Sequence, residues 1–181
     1  MPNKVALNDY QLKAMSTAFY PNVGANIEYV ALGLGEAGEL QGHIKKISRD
    51  DHGVITPQRR YLLLKELGDI TWYIAAVCSE ARLSMGDLLE YIPSNVSYPP
   101  TIEKVALGMG MPVGLIQHIV QGGHGRHAQY ILPQPLANLL WSVAATGSFI
   151  QYSLDDILAE NLHKLSTRKE NDTLSGSGDD R

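Results

Sequence analysis

The stretch Ala31–Leu40, ALGLGEAGEL, carries the main clues to the fold. It is helix-like and mostly apolar, yet it contains two acids, Glu36 and Glu39, and three glycines. Residues three positions apart lie on one face of a helix, so the two carboxylates are predicted to point the same way. Helical spacing of apolar residues continues on both sides, and no segment alternates apolar and polar residues long enough to predict a sheet. The chain is therefore predicted to be all-α.

Start and stop signals predict four helices in the first half of the chain. The first is expected over about 8–19, with Asn8 as its N-cap. The second is expected as one continuous helix over about 26–48. A Thr-Pro start predicts a third helix over about 57–83. Capping-box spacing at 84–87 predicts a short fourth helix.

Composition narrows the class of protein. The 181 residues carry a net charge of -4, which argues against a nucleic-acid-binding surface. The single cysteine, Cys78, excludes an internal disulfide and favours a cytoplasmic protein. The first residues contain no apolar segment of a secretory signal, and no apolar run is long enough to cross a bilayer. Neither a nucleic acid nor a membrane is therefore expected as a partner.

Much of the first half recurs downstream in the same order. ANIEYVALGLG at 25–35 is matched by TIEKVALGMG at 101–110, and LGDITWYIAAV at 67–77 is matched by LANLLWSVAAT at 136–146. The possible capping box at Ser84 also recurs, at Ser153 and Asp156. We interpret this as an internal duplication, with repeat one over about 27–91 and repeat two over about 102–160. The alternative is that two amphipathic helical hairpins look alike by chance.

The two copies differ in charge. Residues 27–75 include thirteen charged side chains, whereas 102–150 include three. A helix with few charges on any face is usually buried, so repeat two is predicted to be packing surface, within the chain or against another subunit. The expected organisation is 1–92 for the N-terminal helix and the active repeat, 93–160 for the degenerate repeat, and 161–181 for a substrate-binding helix end and tail. These segments are expected to share one compact domain.

A second pair of acids, Glu66 and Asp69, has the same spacing as Glu36 and Glu39. If the two helices pack antiparallel, four carboxylates meet, and they repel one another in a partly dry space. A hard divalent cation relieves that repulsion, and carboxylate oxygens suit Mg²⁺ or Mn²⁺. The neighbouring glycines would give the ligands room. The alternative is a set of ordinary surface pairs with nearby lysines, namely Lys45, Lys46 and Lys65.

The segments GLGEAGELQGHIKK at 33–46 and LLLKELGDITWYIAAV at 62–77 resemble the MazG-like, all-α nucleoside triphosphate pyrophosphohydrolases, whose signature is E-x-x-E followed by E-x-x-D. The ending NLHKLSTRKENDTLSGSGDDR at 161–181 is similar to the tail of compact phage and bacterial members. The resemblance implies a MazG-like helical bundle. Here we expect its tandem duplicated hairpins to pack as an intramolecular pseudo-dimer.

The resemblance also implies an activity. It is Mg²⁺-dependent cleavage between the α and β phosphates of a nucleoside triphosphate, giving a nucleoside monophosphate and pyrophosphate. Clean-up of the nucleotide pool is the role expected for this activity. The matching metal ligands and catalytic carboxylates are Glu36, Glu39, Glu66 and Asp69, one of which would orient the attacking water.

Further candidates are expected to contact the substrate. Lys46 lies seven residues after Glu39, and Tyr73 lies four after Asp69 at a position that contacts the nucleotide in related enzymes. The family's phosphate-binding segment N-x-x-K-L-x-x-R matches three more residues, Asn161, Lys164 and Arg168. Solvated helix ends, or core packing for Tyr73, are the alternatives. Three other side chains on these helices are interpreted as structural: His43, Trp72 and Trp141.

Repeat two departs from the family pattern at all four ligand positions. Met111, Gly114, Pro135 and Asn138 stand where repeat one has its acids. We therefore expect one metal site per chain, with repeat two in the place of a partner subunit. Whether a homodimer is still needed stays open.

Three other functions remain alternatives at this point. A phosphoribosyl-ATP pyrophosphohydrolase belongs to the same superfamily. A non-catalytic nucleotide-binding or interaction protein would fit the degenerate repeat. A di-iron bundle fits less well, because it needs E-x-x-H pairs that Glu36 and Glu66 do not provide.

Overall fold

The computed structural model describes residues 1–94, 99–123 and 127–171. Within those ranges every regular element is a helix, which confirms the predicted all-α class. The α-helices are α1 (Lys4–Met15), α2 (Ile27–Gly33), α3 (Glu36–Asp50), α4 (Pro57–Glu80), α5 (Ile102–Gln121), α6 (Ala128–Ile131), α7 (Pro133–Phe149) and α8 (Leu154–Glu170). A 3₁₀ helix, Met85–Tyr91, follows α4. Most of the expected C-terminal tail, 172–181, lies outside the described residues.

The first helix begins earlier than its sequence signals predicted. Asn3 is the N-cap, and its side chain accepts a hydrogen bond from the Ala6 amide at 2.9 Å. Asn8 instead lies inside α1. Its Oδ1 accepts hydrogen bonds from the Ser84 hydroxyl and the Gly86 amide, both at 2.7 Å. The prediction of Asn8 as a cap was therefore wrong, because this side chain ties α1 to the 3₁₀ helix.

The same contact changes the start of the predicted fourth helix. Since the Ser84 hydroxyl bonds Asn8, it makes no capping bond, and the element that follows is a 3₁₀ helix. The equivalent capping box of repeat two does form. The Ser153 hydroxyl accepts from the Asp156 amide, and the Asp156 carboxylate accepts from the Ser153 amide.

The predicted continuous helix over 26–48 is broken at Leu34–Gly35. The Gly35 amide bonds the Leu32 carbonyl at 3.0 Å, and a turn then leads into α3. The Tyr73 ring occupies the space beside Gly33, where a Cβ atom would lie only 2.0 Å from the ring. The break has a consequence for charge, because Glu36 and Glu39 now fall in the first turn of a helix. The positive end of the helix dipole stabilises carboxylates there.

The two hairpins of the duplication are each formed by a packed helix pair, α3 with α4 and α5 with α7. Helix α5 also packs across α2 and α3. The Gln41 side chain donates to the Ala106 carbonyl at 2.8 Å, and the Gln117 side chain donates to the Ala31 carbonyl at 3.1 Å. One apolar cluster extends from Leu7 on α1 to Leu158 on α8. These contacts join the repeats, while the pseudo-dimer itself stays a prediction.

Burial within repeat two is uneven. Helix α7 is buried along most of its length, as its lack of charge predicted. Helix α5 has an exposed apolar face, with Leu107 and Met111 each 74% exposed. Within the described ranges, no helix combines the length and apolar character needed to cross a membrane.

Candidate metal centre

Three of the four predicted ligands meet in the structure. Glu36, Glu39 and Glu66 each offer one carboxylate oxygen, and these oxygens lie within 4.8 Å of one another. Opposite ligands of an octahedral Mg²⁺ ion are about 4 Å apart, so a small contraction would bring the oxygens to bonding distance. A donor set made of carboxylate oxygens favours a hard cation.

The predicted antiparallel packing of α3 and α4 brings these acids together. Asp51, just after α3, accepts from Arg59 near the start of α4 at 2.6 Å, while the opposite end of α3 lies beside Glu66. Glu66 is only 3% exposed, which does not fit the alternative of an ordinary surface acid. His43, interpreted from sequence as structural, places Nε2 3.3 Å from a Glu66 oxygen.

Asp69 does not join this cluster. Its two carboxylate oxygens accept from Lys164 Nζ at 2.6 and 2.7 Å, across the contact between α4 and α8. Residues three apart on a helix are offset by about 60° around its axis, which is enough to turn Glu66 toward α3 and Asp69 toward α8. In the structure Asp69 is thus paired with a lysine ammonium rather than grouped with the three glutamates, and its role as the fourth ligand stays a prediction.

A cavity of about 330 Å³ opens beside the Asp69–Lys164 pair. Three cationic side chains line it, Lys65, Lys164 and Arg168, and one acid, Glu160. Excess positive charge in a cavity attracts anions. The structure thus places an acidic cluster and a basic cavity on two sides of α4, with Asp69 between them.

The other predicted substrate contacts are in different environments. Lys46 is exposed on α3. Tyr73 is half-buried, with its ring 5.0 Å from Trp72 in an edge-on contact. Asn161, expected to contact phosphate directly, is 2% exposed, and its Oδ1 accepts from the Tyr10 hydroxyl at 2.8 Å.

Trp72 and Trp141 are half-buried rather than enclosed in the core. Trp72 Nε1 donates to the Ala14 carbonyl at 3.2 Å, a contact with a structural role.

The sequence analysis missed two residues that contact Asn161, namely Tyr10 and Gly68. Tyr10 is 151 residues from Asn161, and nothing in its local sequence indicates that contact. Gly68 lies against Asn161, since a Cβ atom there would be 3.0 Å from Nδ2. The glycine within KELGD was a usable signal, because a glycine in a helix interior often marks a close approach.

The fold and the site define a class: an all-α protein with a cluster of three carboxylates and a basic cavity on two sides of one helix. The chain belongs to the same family as the "Gene 37 protein" of Mycobacterium phage L5. The two are 46% identical over 77 residues, which cover 39% of this chain and 68% of the phage protein. No model of a known protein family matches the chain. No solved structure matches it either.

Proposed function

We propose that this protein is a Mg²⁺-dependent nucleoside triphosphate pyrophosphohydrolase, which converts a (d)NTP and water to a (d)NMP and pyrophosphate. The observation that carries the proposal is the clustering of Glu36, Glu39 and Glu66. These carboxylates lie on the two helices that carry the E-x-x-E and E-x-x-D motifs. A role in cleaning the cytoplasmic nucleotide pool is part of this proposal.

The acidic cluster would hold the metal. Glu36, Glu39 and Glu66 present their oxygens already, and Asp69 could contribute once Lys164 releases it. When bound, Mg²⁺ supplies charge neutralisation at the phosphates and lowers the pKa of a bound water. The chain's part is to fix the carboxylates on two packed helices so that little reorganisation is needed.

The basic cavity would bind the phosphates. Lys65, Lys164 and Arg168 line it, and Lys164 connects it to the acidic side through Asp69. An ammonium that leaves Asp69 for a phosphate oxygen keeps a charged partner in both states. Metal binding and phosphate binding would therefore support each other through one lysine.

Tyr73 would contact the nucleoside. Its ring is fixed by Gly33 on one side and by Trp72 at an edge. A fixed, half-buried aromatic ring offers a flat surface to a base or sugar at a low cost in conformational entropy. Repeat two, which lacks the four acids, would complete the bundle in place of a partner subunit.

A panel of canonical and damaged nucleoside triphosphates tests this function with the full chain. We expect Mg²⁺-dependent formation of monophosphate and pyrophosphate, separated by anion-exchange chromatography, and loss of both in EDTA. Phosphoribosyl-ATP belongs in the same panel. Tight nucleotide binding without any product would instead indicate the non-catalytic class, and diphosphate plus orthophosphate would indicate cleavage at the wrong bond.

Replacing Lys164 with methionine should shift two affinities in opposite directions. Lys164→Met removes the ammonium that competes for Asp69, so Mn²⁺ should bind about 3- to 10-fold more tightly in electron paramagnetic resonance titrations. Pyrophosphate should bind about 10-fold more weakly by calorimetry, because it loses a charge-assisted hydrogen bond. Lys169→Met, which removes an exposed charge on the same helix, is the matched control. Parallel changes in both variants would mean that net charge alone is responsible.

A further inference from the structure

Helix α8 presents two polar side chains side by side to one point on α4. Asn161 packs against Gly68, and Lys164, one turn later, bonds Asp69. A Cβ atom at position 68 would lie 3.0 Å from Nδ2 and 3.1 Å from Cβ of Asn161, so a larger residue there would press against Asn161 and force it to shift. Asn161 is therefore held directly beside the predicted fourth metal ligand.

Tyr10 determines how the Asn161 amide is oriented. The Tyr10 hydroxyl donates to Oδ1 at 2.8 Å in a fully buried contact. Burial raises the pKa of Tyr10 well above its usual value, and the negative charge of Asp69 raises it further. The hydroxyl thus stays protonated and remains a donor. With its oxygen taken by Tyr10, the amide directs its NH₂ group elsewhere.

That NH₂ group has no hydrogen-bond partner among the described residues, although Asn161 is 2% exposed. Leaving a buried donor unsatisfied costs about 1–3 kcal/mol. A protein can retain such a donor when an acceptor reaches it in another state. Asp69 follows Gly68, the residue that the NH₂ group lies against, and at present it gives both oxygens to Lys164.

We propose that Tyr10 is a positioning residue: it holds the Asn161 NH₂ group ready to donate to Asp69 when Asp69 exchanges Lys164 for a metal ion. The inference rests on the metal site of the proposed function. In the loaded site Asp69 would use one oxygen as a ligand, and the Asn161 NH₂ would fix the other. Hydrogen bonds of this kind orient ligating carboxylates, and their loss typically lowers metal affinity about 10- to 100-fold.

Tyr10→Phe tests the proposal, since it removes one hydroxyl and keeps the ring. We expect Mn²⁺ affinity to fall about 10-fold in electron paramagnetic resonance titrations. Tyr20→Phe is the matched control, because it likewise removes one tyrosine hydroxyl, which donates to Glu80 at 2.6 Å rather than to Asn161. Its Mn²⁺ affinity should stay at the wild-type value. Equal affinities for Tyr10→Phe and wild type would overturn the inference.

Two further measurements separate positioning from a general structural role. In an Asn161→Ala background, Tyr10→Phe should change Mn²⁺ affinity no further, because the amide it orients is gone. In wild type, the side-chain NH₂ signals of Asn161 should shift in ¹H–¹⁵N spectra as Mg²⁺ is added, and this shift should be lost in Tyr10→Phe. An additive effect, or unmoved NH₂ signals in wild type, would refute the role of Tyr10.

These readouts do not depend on turnover. A chain that binds Mn²⁺ with this coupling but releases no pyrophosphate would retain the inference and lose the proposed function. If the wild type hydrolyses nucleotides but Tyr10→Phe leaves the Mn²⁺ affinity unaltered, the proposed function is retained and the inference is lost.

Discussion

Glu39→Gln is expected to reduce pyrophosphate release at least about 10³-fold, because under the proposed function it removes a charged metal ligand from a site that would act mainly by electrostatics. The variant should remain folded. Glu39 is exposed and lies close to Glu36 and Glu66, so removal of its charge relieves repulsion. The thermal midpoint of the metal-free variant should therefore equal or exceed that of wild type, as measured by circular dichroism.

Glu28→Gln is the control for this effect, since Glu28 is an exposed glutamate in the first turn of α2. It should keep wild-type turnover. Asp69→Asn should also lose turnover, but it should not gain stability, because it weakens the ion pair with Lys164. Near-normal rates in Glu39→Gln would remove the acidic cluster from the catalytic mechanism.

Gly33→Ala is expected to have the largest effect on stability. A Cβ atom at this position would lie 2.0 Å from the Tyr73 ring, so either the ring or α2 must move. Overpacking of this kind lowers the free energy of unfolding by about 1–3 kcal/mol. Displacement of Tyr73 should also weaken nucleotide binding. Chemical denaturation and nucleotide titration measure the two effects.

Gly38→Ala provides the matched comparison, because nothing lies within 4 Å of the Cβ position at this helical glycine. It should raise the free energy of unfolding by about 0.4–1 kcal/mol, because alanine lowers the conformational entropy of the unfolded chain. In a Tyr73→Ala background, Gly33→Ala should change the free energy of unfolding little, because the ring that meets the added Cβ atom is gone. If Gly33→Ala were as stable as Gly38→Ala, the ring could not occupy the position described.

Helical class could be predicted from sequence because it follows from local spacing, whereas the break at Leu34–Gly35 could not. The stretch ALGLGEAGEL has apolar spacing that is compatible with one helix, and its glycines only weaken that preference. The break coincides with the place where the Tyr73 ring, from a different helix, lies against Gly33. A contact between residues forty positions apart has no local signal.

The acids of the site, like the helical class, could be predicted from local spacing in the sequence. Glu36, Glu39 and Glu66 belong to two consecutive helices joined by a short connection, so antiparallel packing and spacing suffice. The pairing of Asp69 with a lysine depends on where α8 crosses α4, and that lysine is 95 residues away. The burial of Asn161 depends on α1 in addition. Long-range packing therefore decides which of the predicted residues join the acidic cluster and which are buried or paired elsewhere.

Repeat two shows the limit of composition as a signal. Low charge predicted burial for both of its long helices, and α7 follows that rule. Helix α5 does not, since Leu107 and Met111 are exposed on a face with few charges. Composition tells how polar a helix is, but the number of neighbours around it fixes how much of it is covered.

The Asp69–Lys164 pair also has a meaning for biosynthesis. Every carboxylate of the acidic cluster precedes Asp69 in the chain, but the ammonium that neutralises Asp69 lies on α8, 95 residues further on, and is therefore added much later in translation. Until α8 is made, the growing polypeptide on the ribosome carries Asp69 without the lysine that pairs with it. Under the proposed function, the basic side of the site would therefore be complete only after α8 has been translated.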